Sequence, residues 1–154
     1  MIGALQPFIS TVTATLDAKG RVCIPAPYRQ VLAAQNTVGV YVCPSFVEPA
    51  LEAFGDALLQ TVHQRLAALD PFFSAAHDDQ AFAVLSSSQL LTLDEQGRAR
   101  LPDAFIAHAR LKDRVTFVGM GQKFQIWEPD SFAPIQAERL ERARAARIGG
   151  GSNG

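Results

Sequence analysis

Lysine is scarce in this chain. Lys19, Lys112 and Lys123 are its only three, against eleven arginines. The positive charge is therefore carried by a planar, permanently charged fork suited to carboxylate, phosphate or guanine. Cysteine is scarce too. Cys23 and Cys43 stand alone without CxxC spacing, which excludes a zinc ribbon and a disulfide framework. Both are expected as reduced thiols buried in strands. No apolar run reaches the length of a membrane span. Met1 to Phe8 has no charged stretch leading into a long apolar core, so a signal peptide is not expected and a cytoplasmic protein is. There is no excess of either charge: 14 basic and 15 acidic residues give a formal net of -1. That excludes a uniformly basic coat but leaves room for a locally basic face.

Catalytic spacing is missing as well. His63, His77 and His108 form no HxxxH or HExxH pattern. Ser86-Ser87-Ser88 has no GxSxG context. Gly119-Met120-Gly121 is not followed by the Lys-Ser/Thr start of a phosphate-binding helix. Asp78-Asp79 reads as a helix cap or a solvated pair. With no acid–base or nucleophile constellation, neither an enzyme nor a bound cofactor or metal is expected.

What is present is a repeat. Residues 15–25 read TLDAKGRVCIP and residues 92–102 read TLDEQGRARLP, an offset of 77. Tyr28 then corresponds to Phe105, and Val38–Tyr41 to Val115–Val118. Phe46-Val47-Glu48-Pro49 matches Ile126-Trp127-Glu128-Pro129 at an offset of 80, which predicts a shorter link around Pro44 in the first half. An apolar fraction of 48% over 154 residues is enough for a folded core without staples.

The β-branched run from Phe8 to Leu16 suits a strand. Asp17 to Arg21 suits a tight loop with Gly20 at a positive φ, and Val22 to Ile24 the returning strand. Pro25 precedes a short helix, Ala26 to Ala34, and Thr37–Cys43 with Ser45–Val47 reads as a second hairpin. Pro49 is placed at the first turn of a helix running to Leu69, with Leu51, Phe54, Leu58, Leu59, Val62, Leu66 and Leu69 as its core stripe. A further helix covers Ser74 to Leu85. The second half predicts strands at 87–93, 98–101, 114–119 and 123–127 and a short helix at 103–109. A last helix runs from Pro129 to about Arg147, with Gly149 to Gly154 as a flexible tail. Phe132, Ile135, Leu140 and Ala143 give it a weak apolar stripe. Its Arg139, Arg142, Arg144 and Arg147 are read as complementing the helix dipole, in preference to an oligomer or DNA contact.

The chemistry is concentrated in the two DxxxR loops, Asp17 to Arg21 and Asp94 to Arg98. On a structural reading the acid and the arginine only brace a turn. On a functional one, Lys19, Arg21 and Arg29 form a basic group around the first loop. Arg98 and Arg100, with Arg110, Lys112 and Arg114, form another around the second. An exposed arginine on a two-stranded ribbon fits a major groove and the O6 and N7 acceptors of guanine.

These motifs resemble a known family. LDAKGRVCIP with Tyr28 and Arg29 is similar to the first SpoVT/AbrB-type motif of the MraZ transcriptional regulators, and LDEQGRARLP to the second. VGMGQKFQIWEPDSF, residues 118–132, is similar to the family's C-terminal strand pair and helix start. The resemblance covers about residues 7–140. It implies an α+β fold with an internally duplicated, swapped-hairpin AbrB-like β-barrel core and flanking helices. The expected organisation is a first repeat at 7–55, connecting helices at 56–85, a second repeat at 86–132, a C-terminal helix at 133–148 and a tail at 149–154.

It further implies a homo-oligomeric ring, associated with the nucleoid, that binds double-stranded DNA. The target would be direct repeats in the promoter of the division and cell-wall gene cluster, often repressed. Residue by residue, Lys19, Arg21 and Arg98 carry over as DNA contacts, with Asp17, Asp94, Gly20 and Gly97 in support. Arg29 and Arg100 complete the basic set. Gln96 stands where the first loop has Lys19, and Ile106 where the first half has Arg29. The first loop is therefore expected to read bases and the second mainly to hold phosphate. Segment 48–79 carries a net of -5 and is expected, as a helical layer, to face away from DNA. The alternative is an antitoxin-like module whose helical layer or arginine-rich end grips a protein.

Overall fold

The computed structural model describes residues 6–153, with side chains described from Gln6 through Arg147. The described residues form eight strands and five α-helices. The first half supplies β1 (Thr11–Thr15), β2 (Arg21–Cys23), α1 (Ala26–Ala34), β3 (Gly39–Pro44) and β4 (Leu51–Phe54). Then come α2 (Asp56–Ala67), α3 (Ala75–Gln80) and a π-helical turn, Ala81–Leu85. The second half supplies β5 (Gln89–Thr92), β6 (Arg98–Arg100), α4 (Asp103–Ala109), β7 (Arg114–Gly119), β8 (Phe124–Trp127) and α5 (Pro129–Asn153). The fold is α+β, built on antiparallel pairing.

The halves are interleaved. The main sheet runs β1-β7-β8-β4-β3-β5. Strand β1 of the first half pairs with β7 of the second, Thr11 opposite Val118 through Thr15 opposite Arg114. Reciprocally, β5 pairs with β3, Gly39 opposite Thr92. The seam lies between β4 and β8, with Leu51 opposite Ile126. Strands β2 and β6 leave this sheet and pair with each other. Only a bridge between Leu16 and Val22 ties β2 to the end of β1. The main sheet ends at β1 and β5, which do not pair, so among the described residues no closed barrel forms. The reason is that β2 and β6 complete each other instead of joining those edges.

The core sits between these layers. Val40, Leu51, Ala53, Val115, Phe117, Phe124 and Ile126 are wholly buried. Tyr28 stacks among Phe8, Phe117 and Phe124, with centroids 4.7 to 6.2 Å apart, in the offset and edge-on geometries aromatic rings favour. Its hydroxyl donates to the Ser10 carbonyl at 2.7 Å, so the one polar atom of that cluster is satisfied.

Several expectations need correction. The strand placed at Ser45–Val47 is a loop, and the strand is Leu51–Phe54. The link between β3 and β4 is therefore longer than that between β7 and β8, not shorter. Pro49 does not start a helix, because the residues after it are held between β3 and β8. Helix α2 begins at Asp56, where Thr37 Oγ1 and Gln35 Oε1 accept from the free N–H groups of Asp56 and Ala57 at 2.8 and 3.0 Å. Of the stripe assigned to that helix, Leu51 and Phe54 are strand residues, and within α2 only Leu66 is buried.

At the other end, α5 is continuous through Asn153 and takes in residues 149–153. Once a ladder exists, each added residue gains a hydrogen bond. Its arginines consequently do not lie in the last turn. Arg139 pairs with Glu48, Arg142 with Glu138 and Arg144 with Glu141. The apolar stripe of α5 packs only near its start, where Phe132 meets Trp127 at 5.6 Å; Leu140 is 51% exposed. Cys43 is buried as expected, but Cys23 is exposed on β2. The expectations placed on Met1 to Leu5 and on Gly154 lie outside the described residues.

Candidate nucleic-acid interface

Each DxxxR loop is built by its own acid. Asp17 Oδ1 accepts from the backbone N–H of Arg21 at 2.8 Å and of Lys19 at 2.9 Å. Asp17 Oδ2 accepts from Arg21 Nε at 2.7 Å. The second loop repeats this: Asp94 Oδ1 accepts from the Arg98 and Gln96 amides at 2.9 Å, and Oδ2 from Arg98 Nε at 2.8 Å. The Arg21 and Arg98 amides, then their guanidinium groups, hold both carboxyls below the ordinary carboxylate value. Gly20 and Gly97 close the loops at φ +80 and +79, a region that L side chains rarely adopt. Because only Nε engages the acid, the outer edge of the Arg21 guanidinium stays open. Arg98 also offers Nη2 to Gln96 Oε1 at 3.3 Å.

Between the loops runs the β2–β6 ribbon. Arg21 faces Arg100, Val22 faces Ala99 and Cys23 faces Arg98. Val22 and Ala99 are buried, so strand alternation puts Arg21, Cys23, Arg98 and Arg100 together on the outward face. No acid lies on either strand. Like charges directly opposite one another destabilise a ladder, and Arg100 has no carboxylate partner among the described residues.

The structure thus brings Arg21, Arg98 and Arg100 together, with Lys19 exposed at the first tip. It redistributes the rest. Arg29 does not lie on the first loop, which it follows in sequence, but on the second. A Cβ built on Gly97 would fall 2.7 Å from Arg29 Cζ and Nε. At the first loop the neighbour of Gly20 is Ile106, its Cδ1 3.3 Å from the same construction. The loop backbones cross in the same way, with Leu101 N–H donating to Gly20 O and Ile24 N–H to Gly97 O. Lys112 and Arg114, grouped in sequence with the second loop, flank Asp113, whose carbonyl accepts from Leu16 at the foot of the first. Strand exchange is the cause, and local sequence carries no signal for it. Of the acids in segment 48–79, Glu48 lies in a loop and Glu52 in β4, so the segment is not wholly helical.

Relatives match nearly the whole chain. A protein of Azorhizobium caulinodans named "Transcriptional regulator MraZ" is 44% identical over 150 residues, 96% of this chain and 95% of its own. One of Xanthobacter autotrophicus with the same name is 44% identical over 148 residues, covering 96% and 94%. One of Rhizobium johnstonii is 36% identical over 144 residues, covering 93% and 99%. The family model described as "MraZ protein, putative antitoxin-like" matches residues 84–148. With relatives this similar along so much of its length, the chain belongs to the MraZ family.

Proposed function

We propose that this chain is a sequence-specific DNA-binding transcriptional regulator. It presents the β2–β6 ribbon and its two DxxxR tips to the major groove. The observation that carries this reading is the row of Arg21, Arg98 and Arg100 on one face of a two-stranded ribbon, without an acid on either strand. Asp17 and Asp94 compensate Arg21 and Arg98, which leaves Arg100 as the unpaired charge of the row for a polyanion to meet. Arg21 and Arg98 are oriented by Asp17 and Asp94 through Nε, which leaves the far edge of the Arg21 fork for guanine O6 and N7, while that of Arg98 also meets Gln96 Oε1. Lys19, Arg29 and Arg100 supply phosphate contacts, and Gly20 and Gly97 let the backbone turn tightly enough to expose the tips.

The exchange of β1 and β5 between halves supports a swapped-hairpin, AbrB-like arrangement. With a net charge of -1, one chain makes few phosphate contacts, so useful affinity comes from a homo-oligomeric ring whose tips engage successive direct repeats. The surface for such assembly is apolar: Phe46, Phe72, Phe73 and Phe82 are 69 to 90% exposed. The target is the promoter of the division and cell-wall gene cluster, the effect is repression, and the protein is cytoplasmic and nucleoid-associated. The same apolar surface favours a second reading, an antitoxin-like module whose helical layer holds another protein.

The test is a fluorescence-anisotropy titration at physiological salt. Its probes are the duplex upstream of the protein's own gene and a scrambled duplex of equal length. The native probe is expected to bind more tightly. Arg21→Ala is expected to lose that preference, at about 1–3 kcal/mol per base-reading arginine, with the fold and oligomer unchanged. Equal binding of both probes by the parent protein, or a preference that survives Arg21→Ala, would remove the ribbon mechanism. A partner protein retained after nuclease treatment would favour the second reading.

A further inference from the structure

We infer that Arg29, a residue of the first half, is a nucleic-acid contact of the second hairpin, where it replaces the cation that Gln96 does not provide. The inference rests on the nucleic-acid reading above and deepens it. In sequence the first loop is rich, with Lys19 and Arg21, and the second poor, with Gln96 and Arg98. In space the missing cation is supplied, although the second loop keeps Glu95 as an extra acid. Arg29 lies against Gly97 close enough that an added Cβ would overlap its Cδ, Nε and Cζ, at 2.7 to 2.8 Å. Its Nε donates to the Ile24 carbonyl at 3.0 Å, and Ile24 N–H donates to Gly97 O at 2.9 Å, so the guanidinium is fixed to the loop it covers. The equivalent position in the second half, Ile106, brings a methyl group to Gly20.

Counting the loop side chains and the residue resting on each glycine, both tips carry two cations, against one acid in the first and two in the second. The first has Asp17, Lys19 and Arg21; the second has Asp94, Glu95, Arg98 and Arg29. The two cations that differ are not equivalent. Lys19 is a mobile point charge on an exposed tip, whereas Arg29 is a planar fork held flat on backbone. The second hairpin therefore has its second cation completed across the halves.

The test uses the full chain, with the upstream duplex and the scrambled duplex as probes over a salt series. Arg29→Ile introduces the residue that already occupies the matching position in the second half. It is expected to weaken binding to the upstream duplex about tenfold and to make the salt dependence shallower by about one unit of slope. Adding Gln96→Lys to Arg29→Ile is expected to restore affinity to within about twofold, together with the slope. A merely structural Arg29 would not respond to that relocated charge. Circular-dichroism melting accompanies each variant. If Arg29→Ile does not fold, the decision passes to Ile106→Arg, which is expected to tighten binding and steepen the slope by about one; no steepening overturns the inference. Loss on Arg29→Ile without rescue by Gln96→Lys overturns it, as does unchanged binding where Arg21→Ala still loses the preference. If neither Arg21→Ala nor Arg29→Ile changes binding, the nucleic-acid reading itself fails.

Discussion

At the scale of single residues, the two aspartates set the shape of the site. Asp17 and Asp94 each accept two backbone amides and one guanidinium Nε, and their carboxyls are held below the ordinary value of 3.8. For a carboxyl lowered on folding, the order it gives is complete above 3.8 and is lost as pH falls through the lower native value. The amide proton signals of Arg21 and Arg98 are therefore expected to shift together in one acid titration whose midpoint lies below 3.8. Asp17→Asn is expected to remove that titration at Arg21 alone. A midpoint at or above 3.8 would mean that the acids do not hold the loops. Much of this was legible in the sequence, because DxxxR with Gly at the fourth position recurs at an offset of 77. The position of Arg29 was not. Proximity along the chain assigned it to the loop it follows, whereas the exchange of strands delivered it to the other.

At the scale of elements, interleaving decides what folds. Among the described residues, strand β1 has its only ladder partner in β7, and β5 has its only one in β3. Strands β2 and β6 have ladders only with each other. A chain ending before β5 would leave β1 and β2 without ladder partners, and the outer edges of β3 and β4 unpaired. Residues 1–86 alone are accordingly expected to show no cooperative thermal transition by circular dichroism. Co-expression with residues 87–154 is expected to restore one. A sigmoidal melt from either half alone would contradict the exchange. Short helices α1 and α4 were readable from the prolines before them, and β7 from its apolar run. Strand β4 was not: Leu-Glu-Ala-Phe favours a helix by local preference, and Pro49 just ahead of it imitates a helix start. Its pairing on both sides, to β3 and β8, overrides that preference.

At the scale of the whole molecule, apolar surface and arginine-bearing surface belong to different parts. The ribbon carries Arg21, Arg98 and Arg100, while Phe72 and Phe73, 85 and 90% exposed, lie between α2 and α3. Burying a phenylalanine of this kind is worth about 1.5–3 kcal/mol. Replacing both, Phe72→Ser with Phe73→Ser, is expected to lower the mass found by light scattering after gel filtration, with the far-ultraviolet spectrum unchanged. Binding to the upstream duplex should weaken as linked contacts are lost. An unchanged mass would place the assembly surface elsewhere. The exchange of strands has one more consequence, for how recognition changes over generations. In a pair of identical chains, one altered codon alters both tips at once. Here Lys19 and Gln96, like Arg29 and Ile106, are encoded separately. A single nucleotide change retunes one tip while the other keeps its grip, so the target preference of this chain is free to drift by halves.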